Sequence, residues 1–455
     1  MKSGSKKPKR MINPEIFKAY DIRGIYPEQL NEETAFLIGK AFVEYLKPKH
    51  IVIGRDMRLS SEALYRSLSR GILEAGVDVI DIGLCSTDAL YFAVGKFEYD
   101  SGIMITASHN PPEYNGMKMC KKEAVPLSGK EGIDQIKDII FNNDFSTSGK
   151  NGVIKKINIQ PDYINHLLSF IHPKKIKPFR VVIDAGNGIA GMVLPELFSF
   201  LPCELIPMFF ELDGSFPNHL PNPIILENIT VLKDRISEEK ADLGAAFDGD
   251  ADRVFLVDEK SSPLGGDIIT ALVAKNLLKK EKGATILYNV PCSRILPEII
   301  RQNGGKGIRT PVGHALIKPL MKKYNAVFGG EHSGHFYFRK NFYADSGLIA
   351  LLVCLELLSE ENKPLSQLVK SIDPYFRTGE INSKVLDIPE KIRKIELNYK
   401  DAKLDHLDGL TVEYPDWWFN LRPSNTEPLI RLNLEANTEK LRDQKKSEVL
   451  KIIRS

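Results

Sequence analysis

The chain has 455 residues, 43% of them hydrophobic and 27% charged, an ordinary globular composition. That length is too great for one core and suggests roughly three domains. A net charge of +3 argues neither for nor against nucleic acid, and no run of about 18 apolar residues offers a membrane span.

Residues 1–10 carry five basic side chains with no apolar stretch behind them, so they read as a disordered basic tail and not as a secretory signal. Residues 51–54 then read as a strand, 60–75 as a helix, 77–82 as a strand, 87–97 as a helix and 102–107 as a strand. Such alternation argues for parallel βα layers. The strand at 102–107 breaks at Ser108-His109-Asn110 into Pro111-Pro112. Two prolines cannot continue a central strand, because neither donates a backbone N–H. Ser108 is therefore expected where a buried strand meets an exposed loop, with Asn115-Gly116 closing that loop as a turn. A serine hydroxyl is weak at its own pKa and needs a base, a cation or prior modification to react. The other reading of this loop is an ordinary polar turn. A helix over 129–143 follows, and the Asn-, Ser- and Gly-rich run 142–152 reads as a boundary.

A second block opens with a strand at 180–184 and the pattern Gly186-x-Gly188-x-x-Gly191 before a helix over 192–201. The spacing is that of a dinucleotide-binding turn, and Glu211 lies 20 residues beyond. Glu211, however, falls in an irregular run before Asp213-Gly214, so a tight strand-to-helix turn is the better reading. After a helix at 227–240 and a strand at 243–247 comes Asp248-Gly-Asp-Ala-Asp-Arg253, then a strand at 254–258. Carboxylates at alternate positions of a tight loop can converge on one hard cation such as Mg²⁺. An EF-hand calcium loop begins the same way, but its sixth position must be Gly and here is Arg253, between strands instead of helices. Uncompensated, three such carboxylates would repel one another. Magnesium also keeps coordination positions for substrate phosphate, which points to phosphoryl chemistry.

The βα rhythm continues with helices at 266–281, 293–303 and 315–324 and strands at 284–289 and 307–310. The runs Thr310-Pro-Val-Gly-His314 and Gly329-Gly-Glu-His-Ser-Gly-His335 stand out. Glu331 and Ser333 among glycines suit sugar hydroxyls, which need donor and acceptor together. His332 and His335 lack the helical setting of a zinc pair. A long helix at 346–360 closes the block. Past Asp373-Pro374 the pattern changes to strands at 380–386, 409–414, 417–421 and 429–434 and a helix at 438–453, a smaller α+β unit. Between its last two strands, Arg422-Pro-Ser-Asn-Thr-Glu-Pro428 offers a guanidinium, two hydroxyls and an amide. By inventory that is a phosphate cradle; the other reading is a polar hairpin loop. The five cysteines at 85, 120, 203, 292 and 354 are scattered and form no Cys-x-x-Cys, which suits reduced, buried thiols.

Lys18-Ala-Tyr-Asp-Ile-Arg-Gly24, Thr106-Ala-Ser-His-Asn-Pro111, Asp248–Arg253, Gly330–His335 and Arg422–Pro428 occur in this order. Together they resemble the bacterial phosphohexomutase family, the phosphomannomutase/phosphoglucomutases, over nearly the whole chain. The resemblance implies three related α/β domains and a smaller C-terminal α+β domain around a central cleft, at 11–152, 153–260, 261–372 and 373–455. It implies an isomerase that interconverts mannose 6-phosphate and mannose 1-phosphate, and glucose phosphates also, through a phosphoserine enzyme. By the same resemblance, Ser108 would carry the phosphoryl group, and Asp248, Asp250 and Asp252 would bind Mg²⁺ together with it. Tyr20, Arg23, Lys118 and Arg253 would line the reaction centre, Tyr20 touching substrate and Lys118 near enough to handle protons. Glu331 and Ser333 would hold sugar hydroxyls, and His314 and His335 would serve substrate contact and proton transfer. Arg422, Ser424, Asn425 and Thr426 would hold the phosphate not being transferred. The implied partners are a hexose phosphate and, as intermediate and activator, a hexose 1,6-bisphosphate, with no nucleic acid and no membrane. A cytoplasmic monomer or homodimer is implied. Many members carry Lys in a run like Asp-Val-Lys where this chain has Asn289-Val-Pro291, which leaves mannose, glucose and glucosamine open. Two rivals fit less well. A metal-dependent sugar phosphatase needs no distal phosphate loop, and a non-catalytic sugar-phosphate binder would have lost Ser108 or an aspartate.

Overall fold

The computed structural model describes residues 12–146, 148–423 and 429–455; the basic tail expected at 1–10 lies outside them. Among the described residues four sheets follow one another along the chain. The first has the order Ile22–Ile25, Tyr114–Lys121, Ser101–Ile105, His50–Arg55, Asp78–Leu84, Ile154–Lys156, with Val125–Pro126 beside Tyr114–Lys121. The second runs Val254–Asp258, Leu243–Phe247, Arg180–Asp184, Glu204–Met208. The third runs Lys306–Thr310, Thr285–Asn289, Phe328–Gly330, Phe336–Phe338. In both, neighbours are parallel except for one antiparallel edge strand. The fourth sheet, Phe376–Lys384, Leu429–Ala436, Trp417–Pro423, Leu410–Glu413, Lys403–Asp405, is antiparallel throughout and belongs to a smaller α+β unit.

Each motif occupies the same place in its unit. The serine loop joins Ser101–Ile105 to its antiparallel partner Tyr114–Lys121, and the acidic loop joins Leu243–Phe247 to Val254–Asp258. The Glu331–His335 loop joins Phe328–Gly330 to Phe336–Phe338, and Arg422 stands where Trp417–Pro423 leads back into Leu429–Ala436. Buried strands hold the ends of these hairpins, and the acidic and Glu331–His335 loops meet in a single antiparallel bridge between Arg253 and His335.

One apolar core runs without interruption from Val52 and Leu90 through Val181 and Phe247 to Ile286 and Leu351. Helix Gly347–Glu361 lies within it, buried on almost every side, which is why its sequence is apolar without a polar face. The fourth unit has a separate core around Trp417, Phe419, Leu432 and Val449. Helix starts are set by side-chain caps: Asn31, Ser86, Ser346 and Thr438 each accept a hydrogen bond from a backbone N–H in the first turn.

The chain departs from local expectation at several points. Asn115-Gly116 is no turn but part of Tyr114–Lys121, paired with Gly24 and Arg23 of Ile22–Ile25, and the Gly116 carbonyl also accepts from Thr106 N–H at 3.1 Å. A Cβ at Gly116 would meet the Ile22 carbonyl oxygen at 2.3 Å, so glycine is there for close strand approach. Helix Ile133–Asn142 starts four residues later than its periodicity suggests. Strand Ile22–Ile25 is too short to carry a strong local signal, whereas helices Glu32–Leu46 and Ile388–Asn398, not anticipated from the sequence, do carry one: Asn31 and Asp387 cap their first turns, and Pro389 stands at the start of the second. Among the described residues no helix is long and apolar enough to cross a membrane.

Candidate active site

Ser108 lies just past the fully buried strand Ser101–Ile105 and is itself buried. Its φ is +49°, the left-handed region, a strained conformation for a residue with a Cβ and one that clusters at functional sites. Its N–H donates to Thr106 Oγ1 at 2.9 Å, which helps hold that conformation. Ser108 Oγ donates to Asp248 Oδ2 at 2.7 Å and accepts from Arg253 Nη2 at 3.2 Å. The base and the cation that a reactive serine needs both come from one loop, about 140 residues away in sequence.

Asp248, Asp250 and Asp252 are buried, with one carboxylate oxygen from each inside a 4.8 Å cluster. Two cations offset the three charges. Arg253 Nε donates to Asp248 Oδ2 at 2.9 Å; Lys118 Nζ donates to Asp250 Oδ2 at 2.7 Å and also to Asp252 Oδ2. Thr87 Oγ1, at the start of helix Thr87–Lys96, donates to Asp250 Oδ2 at 2.5 Å. Burial pushes the Asp248 carboxyl up to about 7, the Asp252 charge adding to it. Burial acts on Asp250 too, but Lys118 outweighs it and holds that carboxyl well below the usual range. Burial works against the Lys118 ammonium, yet Asp250 and Asp252 hold its pKa well above ordinary. Among the described residues, Asp250 Oδ1 and Asp252 Oδ1 are buried acceptors without a hydrogen-bond donor. Orphaned buried carboxylate oxygens in a three-carboxylate cluster fit a hard divalent cation.

The Gly186–Gly191 turn serves this loop. Ile189 N–H donates to the Gly249 carbonyl at 3.0 Å, and a Cβ on Gly188 would meet that same oxygen at 2.8 Å. Glu211 offers its backbone carbonyl to Asn187 Nδ2 at 2.9 Å.

A cavity of about 160 Å³ opens in front of Ser108, walled by Tyr20, Arg23, His109, Lys118, Arg253 and His335 among others. Arg23 reaches Asn110 Oδ1 at 2.6 Å and Asp21 Oδ2 at 2.5 Å. His335 Nδ1 lies 2.9 Å from Asp345 Oδ2 and 3.8 Å from Asp252 Oδ1. Burial opposes its protonation, but the charges of Asp252 and Asp345 prevail and raise its pKa. Lys318 Nζ sits 2.7 Å from Asp345 Oδ1, over the Tyr91 ring. Sequence reasoning passed over Thr87, Tyr91, His109, Lys318 and Asp345. Only His109, beside Ser108, carried any signal. The others are single polar residues in ordinary helices and loops.

Glu331 is buried and accepts three hydrogen bonds, from Tyr337 Oη at 2.7 Å, Gly313 N at 3.0 Å and Asn289 Nδ2 at 3.2 Å. Ser333 is half-buried two residues on. His314 opens helix His314–Lys323, and its side chain lies outside the described residues, as do Ser424, Asn425 and Thr426. Arg422 is buried, with Nη2 3.3 Å from Glu380 Oε2; Arg431, opposite it on the next strand, has Nη1 3.0 Å from Glu380 Oε1. One carboxylate thus lies between two guanidinium groups where the sequence suggests a phosphate. Pro291 is buried and donates nothing. A larger cavity of about 580 Å³ between Tyr288, Arg309 and Trp418 contains none of this serine–aspartate chemistry.

The family models described as phosphoglucomutase/phosphomannomutase domains I, II, III and C-terminal match residues 14–147, 161–265, 265–375 and 380–452. The chain belongs to the phosphoglucomutase/phosphomannomutase family. It is 41% identical to a phosphomannomutase of Escherichia coli over 98% of this chain and 100% of that protein. It is also 41% identical to one of Methanocaldococcus jannaschii, over 96% and 97%. The X-ray structure of a phosphoglucomutase/phosphomannomutase family protein from Burkholderia thailandensis superposes with a TM-score of 0.90 at 33% identity, covering 98% of both chains. The protein is therefore a phosphohexomutase, an isomerase that moves a phosphoryl group within a hexose phosphate.

Proposed function

We propose that this phosphohexomutase is a phosphomannomutase that works through a phosphorylated Ser108. The observation that carries the reading is Ser108 Oγ held between Asp248 and Arg253 at the mouth of the cavity. The sugar preference is supported by relatives named phosphomannomutase at 41% identity over nearly the whole chain.

In this reading a hydroxyl oxygen of the hexose phosphate attacks the phosphorus on Ser108. The bond from phosphorus to Ser108 Oγ breaks, and the hydroxyl proton passes to the neutral imidazole of His335, which Asp345 holds in place and whose raised pKa makes it a stronger base. The result is a hexose 1,6-bisphosphate. It reorients, its other phosphate returns to Ser108, and the isomeric monophosphate leaves. Phosphoryl transfer rests on positioning and charge stabilisation more than on covalent chemistry. Arg253, Arg23 and Lys118 supply that charge; an ammonium held as high as that of Lys118 acts as a cation before it acts as a base. Asp248, Asp250, Asp252 and the Ser108 oxygen would hold Mg²⁺, which when bound neutralises phosphate charge. Glu331 and Ser333 hold sugar hydroxyls, and Arg422 with Ser424, Asn425 and Thr426 holds the phosphate at rest, with His314 a further contact. The units at 11–152, 153–260, 261–372 and 373–455 then each contribute one loop. Four buried, unpaired cysteines support a cytoplasmic setting.

The test is mutase activity on mannose 1-phosphate, glucose 1-phosphate and glucosamine 1-phosphate, with intact mass and peptide mapping of the resting enzyme. The expected results are the highest kcat/KM on mannose 1-phosphate, lower activity on glucose 1-phosphate and one phosphate on Ser108. Full activity with no phosphate on the protein and no need for a bisphosphate activator would overturn the phosphoserine step. A clear preference for glucosamine 1-phosphate would overturn the mannose assignment.

A further inference from the structure

We infer that Arg58 is a positioning residue that holds the loop of Ser108 in its reactive geometry. The inference rests on the reading of Ser108 as the phosphoryl carrier.

Strands His50–Arg55 and Ser101–Ile105 are parallel neighbours, so the loops that follow them leave the sheet side by side. In the first of these loops Asp56 Oδ1 accepts from the Arg58 N–H at 3.0 Å and from Ser61 Oγ at 2.7 Å, and this fixes the Arg58 backbone. The Arg58 side chain then crosses to the serine loop. Its guanidinium donates to four carbonyl oxygens there: Nη2 to Asn110 at 2.6 Å and Ser108 at 2.9 Å, Nη1 to Pro111 at 2.7 Å and Tyr114 at 2.9 Å. Both η nitrogens are thereby fully used.

The need for such a donor follows from the loop's own sequence. Buried carbonyls must find N–H partners, and Pro111 and Pro112 remove two from the loop. One planar guanidinium supplies four in a fixed fork. The Ser108 carbonyl is also the point where the acidic loop closes in, since a Cβ on Gly249 would meet it at 2.6 Å. Arg58 thus sets the serine against the loop that holds Asp248. An outer brace, Asn115 Nδ2 to Ser60 Oγ at 2.8 Å and Ser61 Oγ at 3.1 Å, pins the far end of the same segment. The Phe216 ring lies 5.0 Å from the Arg58 guanidinium, and the side chain is wholly buried. It does not line the cavity, so it acts through Ser108 and touches no substrate.

The experiment compares Arg58→Lys with the full-length wild type. The readouts are thermal unfolding, steady-state kinetics on mannose 1-phosphate, and the phosphorus NMR resonance of the phosphoenzyme. An ammonium has three donors and no fork, so the loop keeps its place only loosely. Misplacing a reacting group by about 1 Å costs on the order of a hundredfold in rate. The expected result is a folded enzyme whose kcat falls about a hundredfold with KM within about threefold, and whose phosphoserine resonance is broadened or split. A purely structural residue would lower the melting temperature and leave that resonance sharp in the folded fraction. Should Arg58→Lys fail to fold, Asn115→Ser cuts the outer brace alone and carries the same expectation in smaller degree. Wild-type kcat in a folded Arg58→Lys enzyme, or a rise in KM with kcat unchanged, overturns the inference. If the wild-type enzyme itself shows no phosphoserine resonance, the phosphoserine reading fails instead, and the two failures are told apart.

Discussion

Replacing Glu331 with Gln tests the proposed sugar contact of its loop most directly. A carboxylate accepts at about four positions, and three are taken here by Tyr337 Oη, Gly313 N and Asn289 Nδ2. About one position remains for a sugar hydroxyl. Gln keeps the shape but turns one oxygen into a donor. The buried Tyr337 hydroxyl can rotate to accept from it, so the loop survives while the charged acceptor is lost. A hydrogen bond to a charged group contributes about 1.5–3 kcal/mol, so kcat/KM on mannose 1-phosphate should fall about 10- to 150-fold. Repeating the assay with each singly deoxygenated mannose 1-phosphate isolates the partner. With the sugar that lacks the bonded hydroxyl, the difference between wild type and Glu331→Gln should shrink to about twofold or less. Wild-type kcat/KM in the variant, or an equal penalty on every deoxy sugar, would refute the reasoning and leave Glu331 as a loop brace only.

Asp250→Asn should lower kcat by at least about a hundredfold, since a metal contributes several kcal/mol of transition-state charge stabilisation. Chelation of the wild type should do the same and Mg²⁺ should restore it; full activity after chelation would end the metal assignment. Arg422→Ala should raise KM about 10- to 150-fold and release more hexose 1,6-bisphosphate, seen by phosphorus NMR, with Lys rescuing only in part because it has no fork. Unchanged KM and unchanged bisphosphate release would reduce that loop to a hairpin. Burial in an aromatic cluster lowers the pKa of His166, whose Nε2 is 2.9 Å from Asn341 Oδ1. The unfolded chain therefore takes up this proton first: stability is full above the ordinary value of 6.5 and falls as pH drops toward the lower folded value. Urea unfolding should show a flatter stability profile between pH 7.5 and 5.5 for His166→Phe than for wild type, and parallel profiles would exclude the effect.

What could be read without coordinates was what is local. Asp248–Arg253 announces a cation because three carboxylates in six residues repel unless something compensates them. Ser108 stands out because a β-prone run stops at two prolines. Tertiary context overrode local preference at Asn115-Gly116, where turn chemistry gave way to strand pairing with Ile22–Ile25, and the Ile22 and Thr106 carbonyls leave no room for a Cβ on Gly116. Arg58 was invisible for a different reason: nothing near it in sequence marks its partners, which lie 50 to 56 residues on.

The βα alternation, the order of the motifs and, through them, the family follow from local sequence, because each motif holds its chemistry within a few consecutive residues. Which charges meet is a property of the folded chain. The fold places Lys118 on Asp250 across 132 residues, Arg253 on the Ser108 hydroxyl across 145, and Asp345 behind His335 beside Asp252. Such pairings depend on where separate hairpins converge, and hydrophobic period and turn chemistry encode the hairpins but not their meeting point.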